Sequence, residues 1–166
     1  MKHHFLSRCA WLLLLLALQV LVFNHLHLWG VAVPLVFVYL LLMFPKDTPR
    51  WEVMVWGFVM GLSVDVFANT PGVAAGAMTV TGLVQPVLLG LMLPKDTVEA
   101  FTPSYRLMGT WTYLRYVLML VLFHHIAFFS LEFFSFFHWE HWLTELLGSW
   151  LLTVVVISVL ERLRGS

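Results

Sequence analysis

Long apolar stretches alternate with short polar breaks along the whole chain. They run from about Phe5 to Phe23, Leu28 to Phe44, Trp51 to Phe67, Val73 to Leu93, Trp111 to Phe129 and Trp142 to Leu160. Each is close to the roughly 17–25 apolar residues that a helix needs to cross a bilayer. The runs are continuously apolar and do not alternate, which argues against the period-two pattern of a membrane β-barrel. The pattern predicts an all-α fold: a polytopic membrane bundle of about six transmembrane helices, forming one integral membrane domain over residues 1–166.

Charge sharpens the span count. The basic residues are Lys2, Arg8, Lys46, Arg50, Lys95, Arg106, Arg115, Arg162 and Arg164. With six spans they all fall on the side of the N-terminus, and the opposite loops near 24–28, 68–72 and 130–141 hold none. Five or seven spans would divide them between the two sides. The positive-inside rule then predicts cytoplasmic N- and C-termini.

Composition agrees. Charged residues are 11% and hydrophobic residues 61% of the chain, whereas soluble domains carry about a quarter charged residues. Most of the surface is therefore expected to contact membrane lipid. Formal net charge is zero, which gives no basis for nucleic-acid binding. Cys9 is the only cysteine, so no internal disulfide is possible. Lys2 and Arg8 before Ala10 to Phe23 resemble a signal peptide, but no small-residue cleavage site follows, and a retained first helix is expected. No loop is long enough for a soluble core, so any chemistry would lie within the membrane.

The third span carries the sharpest constellation. Gly57, Gly61 and Asp65 recur every four residues and share one helix face. Gly57-x-x-x-Gly61 admits another backbone at close range. Asp65, a carboxylate inside an apolar run, needs a partner or water. It is either a packing acid bonded to a neighbouring Thr, Ser or backbone group, or a contact or ion-linked site. In the fourth span Gly72-x-x-x-Gly76 offers another small face, and Gly82, Pro86 and Gly90 keep the same interval. Gln85 with Pro86, and Pro34 in the second span, are expected to interrupt their helices. Such interruptions are either kinks satisfied by neighbouring helices or the borders of a binding cavity. His124 and His125 lie deep in the fifth span, either packed and neutral or, for one of them, paired with Asp65 as a proton relay. Asp65, Gln85 and His124 together form the candidate ligand or relay pocket.

Met43-Phe44-Pro45-Lys46-Asp47-Thr48 recurs as Met92-Leu93-Pro94-Lys95-Asp96-Thr97, closing two spans on the same side. Asp96 with Glu99 fits a capping box. On the outer side, the stretch Ser130 to His141 is rich in aromatics. Phe133, Phe134, Phe136, Phe137 and Trp139 are the candidates for an interface with headgroups or a partner. His25, His27, His138 and His141, with Glu132 and Glu140, fall on that side too, but no Cys assists and no metal site is expected. Gly61-Leu62-Ser63-Val64-Asp65 lacks the second Gly of a serine elbow, and His138-Trp139-Glu140-His141 is not the metalloprotease motif. No enzyme signature, phosphate loop or cofactor site is read.

The stretch Gly57 to Asp65, followed by Pro71-Gly72 and Ala74-Ala75-Gly76-Ala77, with Pro34 in an apolar second span, resembles the MreD family of bacterial rod-shape-determining membrane proteins. That family has a Gly-rich third helix ending in Gly-Leu-x-x-Asp and then a short loop with Gly. The resemblance covers most of the chain through short motifs. It implies a non-enzymatic scaffold of the cell-wall elongation machinery, working with MreC, the actin-like MreB and a glycosyltransferase–transpeptidase pair. It also implies a fold similar to the substrate-binding subunits of energy-coupling-factor vitamin transporters. The rival is thus a subunit that binds or transports a small vitamin-like molecule. The Ala-x-x-x-Ala docking signal of those subunits is missing, since the first span has only Ala10 and Ala17.

Overall fold

The structure, a computed structural model, describes residues 2–23, 32–93, 101–133 and 139–165. The described elements are helices α1 (Lys2–Leu21), a 3-10 turn (Val36–Val38), α2 (Tyr39–Leu42), α3 (Arg50–Ala68), α4 (Val73–Met92), α5 (Tyr105–Met108), α6 (Thr110–Phe133) and α7 (Trp139–Gly165). No strand occurs among the described residues. Four helices, α3, α4, α6 and α7, are long and apolar enough to cross a membrane, and the apolar part of α1, Phe5–Leu21, is shorter. Their bounds agree with five of the six apolar runs to within a few residues. This is a membrane protein of the helical class.

The second run differs from expectation. In place of a continuous helix, residues 33–35 have no regular secondary structure, a 3-10 turn follows, and α2 lasts one turn. Pro34 marks the break, because proline removes a backbone donor and disfavours helix in the residue before it. Leu35 to Leu42 are all buried, each at most 5% exposed, so the least regular part of the chain is the centre of the core. Phe37 packs edge-on against His124 of α6, and Trp11 of α1 meets Tyr39. The converse holds for Pro86: α4 runs through it without interruption, contrary to the break expected at Gln85-Pro86.

Contacts fix the direction of each element. Gly61 of α3 lies against Ala74 and Ala75, and Gly82 lies against Val53 and Met54, so α3 and α4 are antiparallel. The pairs Thr81–His124 and Gln85–Tyr116 make α4 and α6 antiparallel. Segment 32–44 runs parallel to α7, from Ser149 to Glu161, and parallel to α4, since Phe37 meets His124 beside Thr81 and Phe44 meets Gln85; α7 is therefore antiparallel to α6. Gln19 meets Val36 and Trp11 meets Tyr39, so α1 runs antiparallel to segment 32–44 and hence parallel to α3, and Arg8 pairs with Glu52 across the two helices. Residues 32–44 run from the level of Ser149 to that of Glu161. Arg8, Lys46, Arg50, Arg106, Arg115, Arg162 and Arg164 therefore lie toward one end of the bundle.

The outward faces are apolar. On α7 the exposed residues Leu143, Leu147, Leu151, Val155, Val159 and Leu163 recur every four positions. Val55, Phe58, Val59, Leu62 and Val66 form a comparable face on α3. Apolar exposure on this scale suits lipid, whose tails make no demand for polar partners.

Candidate functional site

The α3–α4 hairpin is built from the constellation read in the third span. A Cβ on Gly57 would stand 2.7 Å from the Met78 carbonyl oxygen, and one on Gly61 would stand 2.6 Å from Ala75 Cα. Only glycine admits this approach, so the face bearing Gly57 and Gly61 is occupied by α4 of the same chain. Gly76 faces α6, where a Cβ would come within 3.0 Å of Leu131 Cδ1. Gly72 has open space around it and holds φ at +86° as the residue before α4. That left-handed value favours glycine, and Asn69 takes φ +57° at the end of α3. These two residues turn the chain back within four positions.

Asp65 closes the same hairpin. Its Oδ1 accepts from the Thr70 hydroxyl and the Ala74 N–H, and its Oδ2 accepts from the Ala75 N–H, all at 2.9 Å. The first N–H groups of a helix have no partner within it, and here the carboxylate comes from the preceding helix. The negative charge also suits the positive end of the α4 dipole. Of the alternatives left open by sequence, the bonding is that of a packing acid.

Asp65, Gln85 and His124 do not share one pocket. His124 stands beside Thr81, six residues beyond Ala75 on α4, which is about 9 Å along the axis, and Gln85 lies about 15 Å along. His124 Nδ1 lies 3.2 Å from the Thr81 hydroxyl, which donates to the Ala77 carbonyl. Gln85 Nε2 donates to the Tyr116 hydroxyl at 2.9 Å and to the Phe44 carbonyl at 3.3 Å. Gln85 and His124 are both fully buried, one helical turn of α4 apart, and neither is bonded to Asp65.

Sequence reading missed the second polar cluster, which holds the broken second segment. Gln19 of α1 bridges the break: its Nε2 donates to the Pro34 carbonyl at 3.0 Å and its Oε1 accepts the Val36 N–H at 2.9 Å. From α7, the Thr153 hydroxyl accepts the Leu35 N–H at 3.0 Å and the Ser149 hydroxyl accepts the Val33 N–H at 3.1 Å. His125 joins through Thr153 at 3.1 Å and through the Val121 carbonyl at 2.8 Å. Irregular backbone at membrane depth persists only where protein groups satisfy it, and these side chains do so. Ser149 and Thr153, four apart in an apolar run, were the available signal.

At the basic end, the Tyr39 hydroxyl donates to buried Glu161, and Arg164 reaches both. Arg8 pairs with Glu52 and lies over the Phe44 ring, 4.6 Å from its centroid. At the opposite end Phe133 stacks on Phe129 with centroids 6.2 Å apart. Phe134, Phe136, Phe137 and His138, with the Trp139 side chain, lie outside the described residues, as do His25, His27, Lys95, and the Asp96–Glu99 capping box. His141 meets Glu145 at 3.6 Å, and no group of three metal-binding side chains occurs among the described residues.

No family model, no curated protein and no solved structure matches this chain.

Proposed function

We propose that the chain is a non-enzymatic scaffold of the MreD kind. In this reading it is a six-pass bundle in a bacterial inner membrane, with both termini cytoplasmic. It belongs to the cell-wall elongation complex and binds partner membrane proteins such as an MreC-like protein. The observation that carries the reading is where the polar groups go. Asp65, Gln19, Ser149, Thr153 and His125 bond to the chain's own backbone or to one another. The long helices turn apolar faces outward, and such faces act by contact. Six passes count the segment 32–44 with the five longer helices. The Gly57 to Asp65 stretch supports the resemblance, and since α4 covers that face, partners meet the outward faces and the aromatic segment near Phe133. Depletion in the native bacterium, with microscopy and a pull-down, tests this. Expected are rounded cells and recovery of wall-synthesis proteins; unchanged shape and wall insertion would overturn it.

One observation favours a small-molecule binding subunit instead. Gln85 Oε1 and His124 Nε2 are buried and meet no hydrogen-bond partner among the described residues, and orphaned polar atoms can mark a ligand position. Native mass spectrometry of the purified protein separates the readings: a retained vitamin-like molecule supports this one.

A further inference from the structure

A cavity of about 270 Å³ opens at the basic end of the bundle. Its polar wall consists of Arg8, Arg164, Ser7 and Thr102, and Trp11 and Phe44 are among its apolar lining. Two arginines, a serine and a threonine line one space, and among the described residues no carboxylate lines it.

The carboxylates stand behind the wall. Glu52 holds Arg8 from the α3 side and lines a separate apolar groove between α1 and α3. Glu161 is buried beneath Tyr39 and Arg164. Each arginine uses only one terminal nitrogen in these contacts. Its other N–H groups meet no acceptor among the described residues. The ion pairs thus fix both guanidiniums and leave donors for a ligand. A planar guanidinium fork matches a phosphate and binds it by paired, charge-assisted hydrogen bonds.

We propose that this cavity binds a phosphate-bearing group the size of a lipid headgroup. Its volume lies just below the roughly 300–1,000 Å³ of drug-sized pockets. The chemistry has two sources: the headgroup of an anionic phospholipid, or a small soluble phosphorylated compound. Basic pockets between membrane helices are known to take the first.

The full chain is purified in detergent, and retained lipid is measured by native mass spectrometry with phosphatidylglycerol or phosphatidylcholine. Glycerol phosphate is titrated in parallel. Arg164→Gln removes one guanidinium. Ser7→Trp, at an exposed position, fills the mouth and leaves both ion pairs intact. Arg162→Gln removes the same charge from an exposed position outside the cavity and serves as control. Preferred retention of phosphatidylglycerol, weakened at least about tenfold by Arg164→Gln and by Ser7→Trp but not by Arg162→Gln, is expected for the lipid source. Saturable binding of glycerol phosphate with the same variant pattern, without lipid preference, assigns the soluble source. Should Arg164→Gln fail to fold, Ser7→Trp decides alone. Equal retention of both lipids with no glycerol phosphate binding overturns the proposal, as does an equal loss in Arg162→Gln or no loss in Ser7→Trp.

Discussion

His125 Nε2 lies 3.1 Å from the Thr153 hydroxyl, the same oxygen that accepts the Leu35 N–H at 3.0 Å. Three distant stretches of chain meet at this atom. Thr153→Val keeps the shape and removes the oxygen, leaving a buried N–H without an acceptor. An orphaned buried donor costs about 1–3 kcal/mol. The melting temperature of the purified protein should fall, and Thr153→Ser should keep most of the native value. A valine variant as stable as the parent would show that the broken segment is held by packing alone.

The α3–α4 contact gives a graded series. Gly61→Ala places a methyl against the Ala74 and Ala75 backbone, which cannot move aside as a flexible side chain would. Overpacking of this kind costs about 1–3 kcal/mol, and Gly61→Leu should prevent assembly of the hairpin. Gly90, also in α4, has nothing within 4 Å, so Gly90→Ala should be neutral or stabilise by up to about 1 kcal/mol through helix propensity. Thermal unfolding of the three variants checks the order. Equal stability of Gly61→Ala and Gly90→Ala would contradict the close approach.

Asp65→Asn tests the cap. An amide oxygen can still accept from Thr70 and Ala74, but its NH₂ then faces the Ala75 N–H, which loses its acceptor. The expected loss is about 1–3 kcal/mol, with Asp65→Ala worse. Hydrogen exchange reads it locally: the Ala75 amide should exchange faster in both variants and the Ala74 amide in Asp65→Ala, while those of α6 keep their protection. Unchanged exchange at these two amides would show that the carboxylate is not their cap.

The contrast between this hairpin and the second segment explains what sequence could reveal. Gly57, Gly61 and Asp65 lie on one helix, and their partners start within ten residues of Asp65, so periodicity and a short turn were enough. The segment around Pro34 is apolar throughout, and an apolar run alone does not distinguish a helix from a non-helical stretch. What decides is Gln19 on one side and Ser149 and Thr153 more than a hundred residues away, a juxtaposition that no local pattern carries. Pro86 misleads in the opposite direction, since proline marks a lost hydrogen bond but neighbouring helices can hold the helix together. The pocket imagined from Asp65, Gln85 and His124 failed for a related reason: all three are polar residues in apolar runs, and sequence does not give their depths.

His124→Phe separates the two functional readings. The imidazole stands among aromatic rings, with centroids 5.3 Å from Phe37 and 6.2 Å from Phe128. Its Nε2 has no partner among the described residues, and Thr81 keeps its bond to the Ala77 carbonyl when the ring nitrogen is lost. A phenyl ring therefore removes an unsatisfied polar atom from an apolar site without orphaning another. Replacing such a group by an apolar one of similar shape is near neutral or stabilising. On the scaffold reading the variant should melt at or above the parent temperature and should support normal cell shape. On the binding reading Nε2 is the atom that meets the ligand, so a molecule carried by the parent should be lost from the variant in native mass spectrometry. A parent that carries a small molecule, together with a stable variant that does not, would move the function from the outward faces of the bundle to its interior.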